Sequence, residues 1–206
     1  MTQISIIYES DSVHISEGAK SVARGAESIG LTRVLLIPLE GAELCWQDID
    51  ESQAIVFGCS TRMGSASASF KDFMEATAER LSGHKWRDKI AAGFTVDDKQ
   101  NYGCKTTVVQ LCSFSTEHSM IWAGSSIFII NERGNKRDEN ANQSSRPPDE
   151  ITAPADGISF YGEFVGTDAL GKRVAQIAQR WNWIRRFRSE RNKPVRTSKR
   201  QNRGSG

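Results

Sequence analysis

Three polar segments, each following a short apolar run, hold the residues best suited to chemistry. The first carries Ser10, Ser12 and His14 and leads directly into helix-forming sequence. Backbone N–H groups at the start of a helix, with serine hydroxyls beside them, suit a phosphate group. Ser12 could equally be a simple N-cap. The segment lacks the glycines of a Walker or Rossmann loop, so it predicts neither ATP nor dinucleotide binding.

The second segment is the run Ser60-Thr-Arg-Met-Gly64. Its backbone amides and Arg62 could contact the edge of an aromatic ring that gains negative charge on reduction, and Met63 could pack on the ring face. The alternative is a tight turn with a surface arginine, and the residue types alone do not separate the two. A third polar segment, 97–103, follows Thr95 and Val96.

Metal and thiol chemistry are disfavoured by the spacing of the other candidate residues. The three histidines, His14, His84 and His118, are scattered, and none lies three or four residues from another, so we predict no metal site. The four cysteines form no Cys-x-x-Cys pair. The first residues lack the pattern of a secretory signal, so we expect reduced thiols and a cytoplasmic protein. We expect no membrane span, because no apolar run reaches about 18 residues.

Apolar runs alternate with amphipathic stretches and define the elements that must position these segments. The runs predict strands at 4–8, 34–39, 54–59, 89–96 and 125–130. The 3–4 spacing of apolar residues predicts helices at 15–29, 70–81, 106–116 and 170–183. Such alternation predicts an α/β protein with a doubly wound parallel sheet. Ligands bind beyond the carboxyl ends of such strands, where the three polar segments would meet.

Several of these motifs, taken in order, resemble one family. Ser60-Thr-Arg-Met-Gly64, followed by Phe70-Lys-Asp-Phe-Met74, resembles the flavin loop and helix of WrbA-type flavodoxin-like NAD(P)H:quinone oxidoreductases. Tyr8-x-Ser10 and then His14-Ile15 are similar to the phosphate loop of that family. Glu117-His-Ser-Met120 resembles its segment before the last strand, and residues 166–175 resemble its terminal helix. The likeness covers residues 3–130 and 160–183.

The resemblance implies a fold, a cofactor and a reaction. The fold would be flavodoxin-like, with five parallel strands in the order 2-1-3-4-5 and helices on both faces. The cofactor would be FMN, bound without a covalent bond. Hydride would pass from NAD(P)H to the flavin and two electrons to a quinone. Relatives of this type commonly form dimers or tetramers, so the resemblance also implies a homo-oligomer.

The resemblance also assigns roles to individual residues. The FMN phosphate would be surrounded by Ser10, Ser12, His14 and Ile15. The isoalloxazine ring would be lined by Ser60, Thr61, Arg62, Met63 and Gly64, with Thr95 and Val96 starting the third flavin loop. His118 would be the catalytic residue, approaching the open face where a quinone docks.

The sequence departs from the family pattern around the proposed phosphate. Val13 stands where the family has glycine, and Glu9 and Asp11 place acids beside the phosphate. Two other functions therefore stay open. One is a flavodoxin-type electron carrier that does not turn over nicotinamide. The other is a flavin-free interaction protein that keeps the fold.

Charge divides the chain into an acidic body and a basic end. Residues 180–206 hold ten Lys and Arg residues and one acid, Glu190, for a net charge of +9. The remaining residues hold 17 basic and 24 acidic side chains, for a net charge of −7. We predict a domain at 1–184, with a long polar loop at 131–157, and a basic, disordered tail at 185–206. The tail could bind nucleic acid, anionic lipid or an acidic protein, or only aid solubility.

Overall fold

The structure is a computed structural model that describes residues 1–97, 104–124, 129–131 and 167–191. Its strands are β1 (Thr2–Tyr8), β2 (Thr32–Pro38), β3 (Ala54–Arg62), β4 (Ser65–Ala66), β5 (Ile90–Asp97), β6 (Ile121–Trp122) and β7 (Ile129–Asn131). Its helices are α1 (Val13–Glu27), α2 (Trp46–Glu51), α3 (Ala68–Ala76), α4 (Ala78–Ser82), α5 (Cys104–Glu117) and α6 (Thr167–Arg191). A 3-10 helix at Leu39–Cys45 precedes α2.

The strands form one sheet in the order β2-β1-β3-β5-β6. Every pair along this path is parallel, β7 also pairs parallel with β5, and β4 folds back antiparallel on β3. This confirms the predicted flavodoxin-like fold and the order 2-1-3-4-5, because β5 is the predicted fourth strand. The fifth position is shared by β6 and β7, and residues 125–128 of the predicted fifth strand lie outside the described residues.

Alternating side chains of the central strands build a core on each face of the sheet. Ile4 and Ile6 of β1 pack with Ile15 of α1 and Leu170 of α6. Ile7, which points the other way, joins a second cluster on the opposite face, an aromatic group built from Phe57, Phe70, Phe73, Trp86 and Phe114. Both faces are therefore covered by helices, as a parallel sheet requires.

Helices α1 and α6 approach each other closely at two glycines. A Cβ atom on Gly25 would lie 1.9 Å from the carbonyl oxygen of Asp168, and one on Gly171 would lie 2.0 Å from that of Val22. These distances are far below van der Waals contact, so only glycine allows the two backbones to meet there. The contact fixes α6 over the face of the sheet that α1 covers.

Helix α6 runs past the amino edge of the sheet, the edge at which the parallel strands begin. Its Gln179 side chain donates to the carbonyl oxygen of Gly30 at 2.6 Å, and Trp181 Nε1 donates to the carbonyl oxygen of Asp88 at 2.9 Å. Gly30 and Asp88 lie just before β2 and β5. The helix ends only at Arg191, so residues 185–191, which the sequence analysis places in the tail, are helical.

Other differences from the predicted elements are local. The helix predicted at 70–81 is divided into α3 and α4 at Thr77, whose hydroxyl donates to the carbonyl oxygen of Met74 at 2.6 Å. The polar loop predicted at 131–157 lies outside the described residues, except that Asn131 ends β7. Of the helices in the described part of the chain, none combines the length and apolar character needed to cross a membrane.

Candidate functional site

The candidate site lies at the carboxyl edge of the sheet, where β1, β3 and β5 end at Tyr8, Arg62 and Asp97. The loop between β1 and α1 and the hairpin between β3 and β4 both lie at this edge because the strands are parallel neighbours. The third predicted segment follows β5 there, and its residues 98–103 lie outside the described residues.

The first loop ends in a capped helix start. Ser12 is the N-cap of α1, and its hydroxyl accepts from the backbone N–H of Ile15 at 3.4 Å. The Ser10 hydroxyl donates to a carboxylate oxygen of Glu40 at 3.0 Å. His14 is half-buried, whereas the Ile15 side chain is fully buried in the core. Ser12 therefore caps the helix, and Ile15 could meet a ligand only through its backbone.

Glu9 turns inward rather than toward the start of α1. Its side chain is 2% exposed, and one carboxylate oxygen accepts from the backbone N–H of Ser60 at 2.7 Å. The other oxygen accepts from the hydroxyls of Ser67 and Ser69. Ser67 is also the N-cap of α3, accepting from the N–H of Phe70 at 3.1 Å. The carboxylate thus joins the ends of β1 and β3 to the start of α3.

A two-residue hairpin connects β3 to β4 at the same edge. Arg62 and Ser65 pair across it, and the central residues Met63 and Gly64 have φ values of 49° and 76°. Positive φ at both central positions is typical of a type I′ turn, which favours Asn-Gly. The Met63 side chain is fully exposed. The turn therefore presents an apolar side chain to solvent from a strained backbone conformation.

Helix α5 holds this hairpin in place. The side-chain oxygen of Gln110 accepts from the backbone N–H of Ala66 at 2.9 Å and from the Ser65 hydroxyl at 3.2 Å. The hairpin is thus fixed by both its own pairing and a neighbouring helix. Such support pre-organises the backbone N–H groups of the turn for a ligand.

The threonines predicted to touch a ligand point into the protein. The Thr61 hydroxyl lies 2.8 Å from that of Thr95 and donates to that of Thr107 at 2.9 Å. All three side chains are buried. They therefore join β3, β5 and α5 beneath the site, and Thr61 could reach a ligand only through its backbone. Val96 pairs in register with Ser60.

The Ser60 side chain is different because its hydroxyl has no partner. It is 2% exposed, and among the described residues its Oγ atom makes no hydrogen bond. A buried hydroxyl without a partner destabilises a fold by about 1–3 kcal/mol, so such groups are usually satisfied by water or a ligand. Ser60 is thus an available polar group at the end of β3.

His118 lies away from these loops. It follows α5, which starts at the carboxyl edge after β5 and returns to the amino edge before β6. Its ring packs against Trp86 and Phe114, with ring centroids 4.5 and 4.9 Å apart. Within one copy of the chain, His118 therefore lies at the edge of the sheet opposite to the first loop and the hairpin.

The surroundings of His118 fix its protonation state. Thr77 donates its hydroxyl hydrogen to Met74, so the His118 Nε2–H donates to Thr77 Oγ1 at 3.0 Å. Nδ1 is then an acceptor, and among the described residues it has no partner. Burial lowers the pKa of His118 to about 4. A neutral, buried imidazole of this kind acts as a core residue at neutral pH.

The structure thus brings together most of the predicted site residues. Ser10, Ser12, His14 and the 60–64 run lie at one edge of the sheet. Two residues have roles at the site that the sequence does not predict: Gln110 supports the hairpin, and the Glu9 carboxylate joins β1, β3 and α3. No local sequence signal reveals either role, because both depend on contacts with residues more than forty positions away.

Comparisons with known proteins agree with this geometry. The Flavodoxin family model matches residues 6–133. Flavodoxin FldP of Pseudomonas aeruginosa (strain UCBPP-PA14) is 26% identical over 184 residues, covering 87% of this chain and 98% of FldP. NAD(P)H dehydrogenase (quinone) of Sinorhizobium fredii (strain NBRC 101917 / NGR234) is 28% identical over 141 residues, covering 60% of this chain and 71% of that protein.

A solved structure extends the similarity to nearly the whole fold. The crystal structure of the flavodoxin, WrbA-like protein from Agrobacterium tumefaciens has a TM-score of 0.65 and 26% sequence identity, covering 87% of this chain and 99% of that chain. The resemblance to WrbA-type flavodoxin-like proteins is confirmed. Since the family model also spans more than half of the residues, this chain belongs to the flavodoxin family.

Proposed function

We propose that the chain binds FMN without a covalent bond and uses NAD(P)H to reduce quinones or similar acceptors by two-electron transfer. The observation that carries the proposal is the juxtaposition of the α1 start with the hairpin containing Met63 at the carboxyl edge of the sheet. The similarity to NAD(P)H dehydrogenase (quinone) of Sinorhizobium fredii supports the reaction.

The first loop suits the phosphate of FMN. The N–H groups in the first turn of an α-helix lack intrahelical acceptors and favour an anion. Here Val13 and His14 offer such groups, whereas the Ser16 N–H donates to the Ser12 carbonyl oxygen at 2.9 Å. The Glu9 carboxylate accepts from the Ser60 N–H and from two serine hydroxyls, which partly balance its charge. Ser10, Ser12 and His14 would complete the phosphate site, and the Ile15 N–H would move from its 3.4 Å bond with the Ser12 hydroxyl to the phosphate.

The hairpin suits the ring of FMN. Its backbone N–H groups, the exposed Arg62 and the exposed Met63 lie together at the end of β3. When bound, FMN supplies the two-electron redox chemistry that links NAD(P)H to a quinone. The chain would hold the ring with Met63 on its face, while Arg62 would balance negative charge and the Ser60 hydroxyl would gain a partner.

Two other functions have specific support. An electron carrier is favoured by the match to flavodoxin FldP, which spans 98% of that protein. A flavin-free interaction protein is favoured by Glu9, because its carboxylate already occupies the Ser60 N–H at the site. The three functions differ in whether FMN binds and whether NAD(P)H reduces it.

FMN binding and reduction by NAD(P)H distinguish these functions. The purified full chain is titrated with FMN while flavin fluorescence is followed, and NADH or NADPH is then added with a benzoquinone acceptor. Bound flavin that is bleached by NAD(P)H and reoxidised by the quinone supports the proposal. Bound flavin that ignores NAD(P)H indicates the carrier. Absence of FMN binding overturns both in favour of the flavin-free protein.

A matched pair of variants tests the assigned site. Arg62→Gln should weaken FMN binding about 10- to 150-fold, since a charge-assisted contact contributes roughly 1.5–3 kcal/mol. Arg33→Gln removes an equally exposed arginine from β2 and should leave binding unchanged. Equal affinities of the two variants would remove Arg62 from the site. The expected dimer or tetramer stays a prediction, which light scattering of the same samples tests.

A further inference from the structure

The last part of α6 forms a helical extension, residues 182–191, that we call the helical arm. The preceding residues Gln179 and Trp181 bond to Gly30 and Asp88 at the amino edge of the sheet. The helix then continues for the length of the arm, about 15 Å at 1.5 Å per residue. The arm therefore projects from the edge opposite to the candidate flavin site.

Large apolar side chains begin this arm in exposed positions. Trp183 is 66% exposed and Ile184 is 48% exposed. Neighbouring large apolar side chains that are exposed in this way are typical of a contact surface.

The end of the chain that includes this arm carries a large excess of positive charge. Residues 180–206 have a net charge of +9, whereas the rest of the chain has a net charge of −7. Like charges would repel a second arm, so charge complementarity points to an anionic partner.

The apolar residues decide which anionic partner fits. The phosphate backbone of a nucleic acid has no apolar surface against which an aliphatic side chain such as Ile184 could pack. The interface of a membrane accepts tryptophan and isoleucine at the acyl boundary and arginine among the headgroups. We propose that the helical arm docks the protein on an anionic lipid surface. This proposal is independent of the flavin chemistry, since the arm lies at the other edge.

Vesicle binding tests the charge component. The full chain is sedimented with vesicles of phosphatidylcholine alone and of phosphatidylcholine mixed with phosphatidylglycerol, and we expect binding to the mixed vesicles only. The triple variant Arg185→Gln, Arg186→Gln, Arg188→Gln should bind about 100-fold more weakly, at about fivefold per charge.

The control variant removes three exposed cations from elsewhere: Lys20→Gln, Arg33→Gln and Lys71→Gln. It should keep the affinity of the natural chain. Equal binding of the two triple variants, or equal binding to neutral vesicles, would overturn the proposal.

A second variant separates lipid from nucleic acid. Trp183→Ser with Ile184→Ser keeps every charge and should weaken binding to the mixed vesicles about tenfold, because two apolar side chains no longer enter the interface. Its binding to duplex DNA should equal that of the natural chain. If the natural chain binds duplex DNA more tightly than the mixed vesicles, and the serine variant binds the vesicles unchanged, the partner is nucleic acid and the proposal fails. Unchanged urea midpoints establish that both variants fold.

Discussion

The buried carboxylate of Glu9 offers the sharpest test of how the site is built. In Glu9→Gln the side-chain oxygen can still accept a hydrogen bond from the Ser60 N–H, but the new NH2 group faces the hydroxyls of Ser67 and Ser69. Ser67 already accepts from Phe70, so it has to redirect its own hydrogen. Hydrogen bonds to a charged group contribute roughly 1.5–3 kcal/mol, against about 1 kcal/mol for neutral ones.

The expected loss is therefore about 2 kcal/mol of unfolding free energy, which lowers the melting temperature by about 4–8 °C for a chain of this size. Urea unfolding followed by tryptophan fluorescence measures it. Glu40→Gln is the matched control, because this exposed acid has a bond to the Ser10 hydroxyl, and it should change stability by less than about 0.5 kcal/mol. If the two variants have equal midpoints, the Glu9 carboxylate does not hold β1, β3 and α3 together.

Three further predictions concern the glycine contact, the hairpin and the buried imidazole. Gly171→Ala should lose more than about 3 kcal/mol of stability in urea unfolding, because its Cβ would overlap the α1 backbone, whereas Gly30→Ala, which has open space around it, should change little. Met63→Asn should stabilise the flavin-free chain by about 0.5–1 kcal/mol, because asparagine tolerates positive φ, yet weaken FMN binding; a loss of stability would contradict the strain assigned to this turn. The pKa of His118 is lowered from 6.5 to about 4, so the unfolded chain binds the proton more readily and stability falls as the pH drops through this window. Between pH 7 and 4.5, protonation of His118 should lower the free energy of unfolding by about 2–3 kcal/mol. A His118→Gln variant that keeps the full pH dependence of stability would refute the assignment of this effect to His118.

The sequence predicts the sheet well because its central strands are nearly continuous apolar runs. β1, β3 and β5 are buried on both faces, which makes their composition unmistakable. The sequence does not predict the helical segment Leu39–Glu51, because its buried residues are too sparse to show a helical period: Leu39, Ala42 and Ile49. Short strands such as β6 carry no period at all.

The site was predictable where it follows from topology and less so where it depends on distant contacts. The ends of parallel strands must share an edge, so the meeting of the first loop with the hairpin follows from the alternation alone. The same reasoning predicts His118 at the opposite edge, because α5 runs antiparallel to the strands and ends just before this residue. The order of the family motifs along the chain does not say at which edge a residue lies. The inward position of the Glu9 carboxylate could not be predicted, because it depends on hydrogen bonds from Ser67 and Ser69, which lie about sixty positions later.

The glycine contact between the first and the last helix has a consequence for synthesis. The apolar side of α1 is completed by Leu170, Val174 and Ala178, which leave the ribosome after almost everything else in the domain. Until these residues have been synthesised, Ile15 and Val22 lack part of the apolar surface that buries them, and α1 cannot complete its packing. The nascent domain therefore carries an incomplete hydrophobic surface until α6 has been synthesised, which is the kind of surface that chaperones bind.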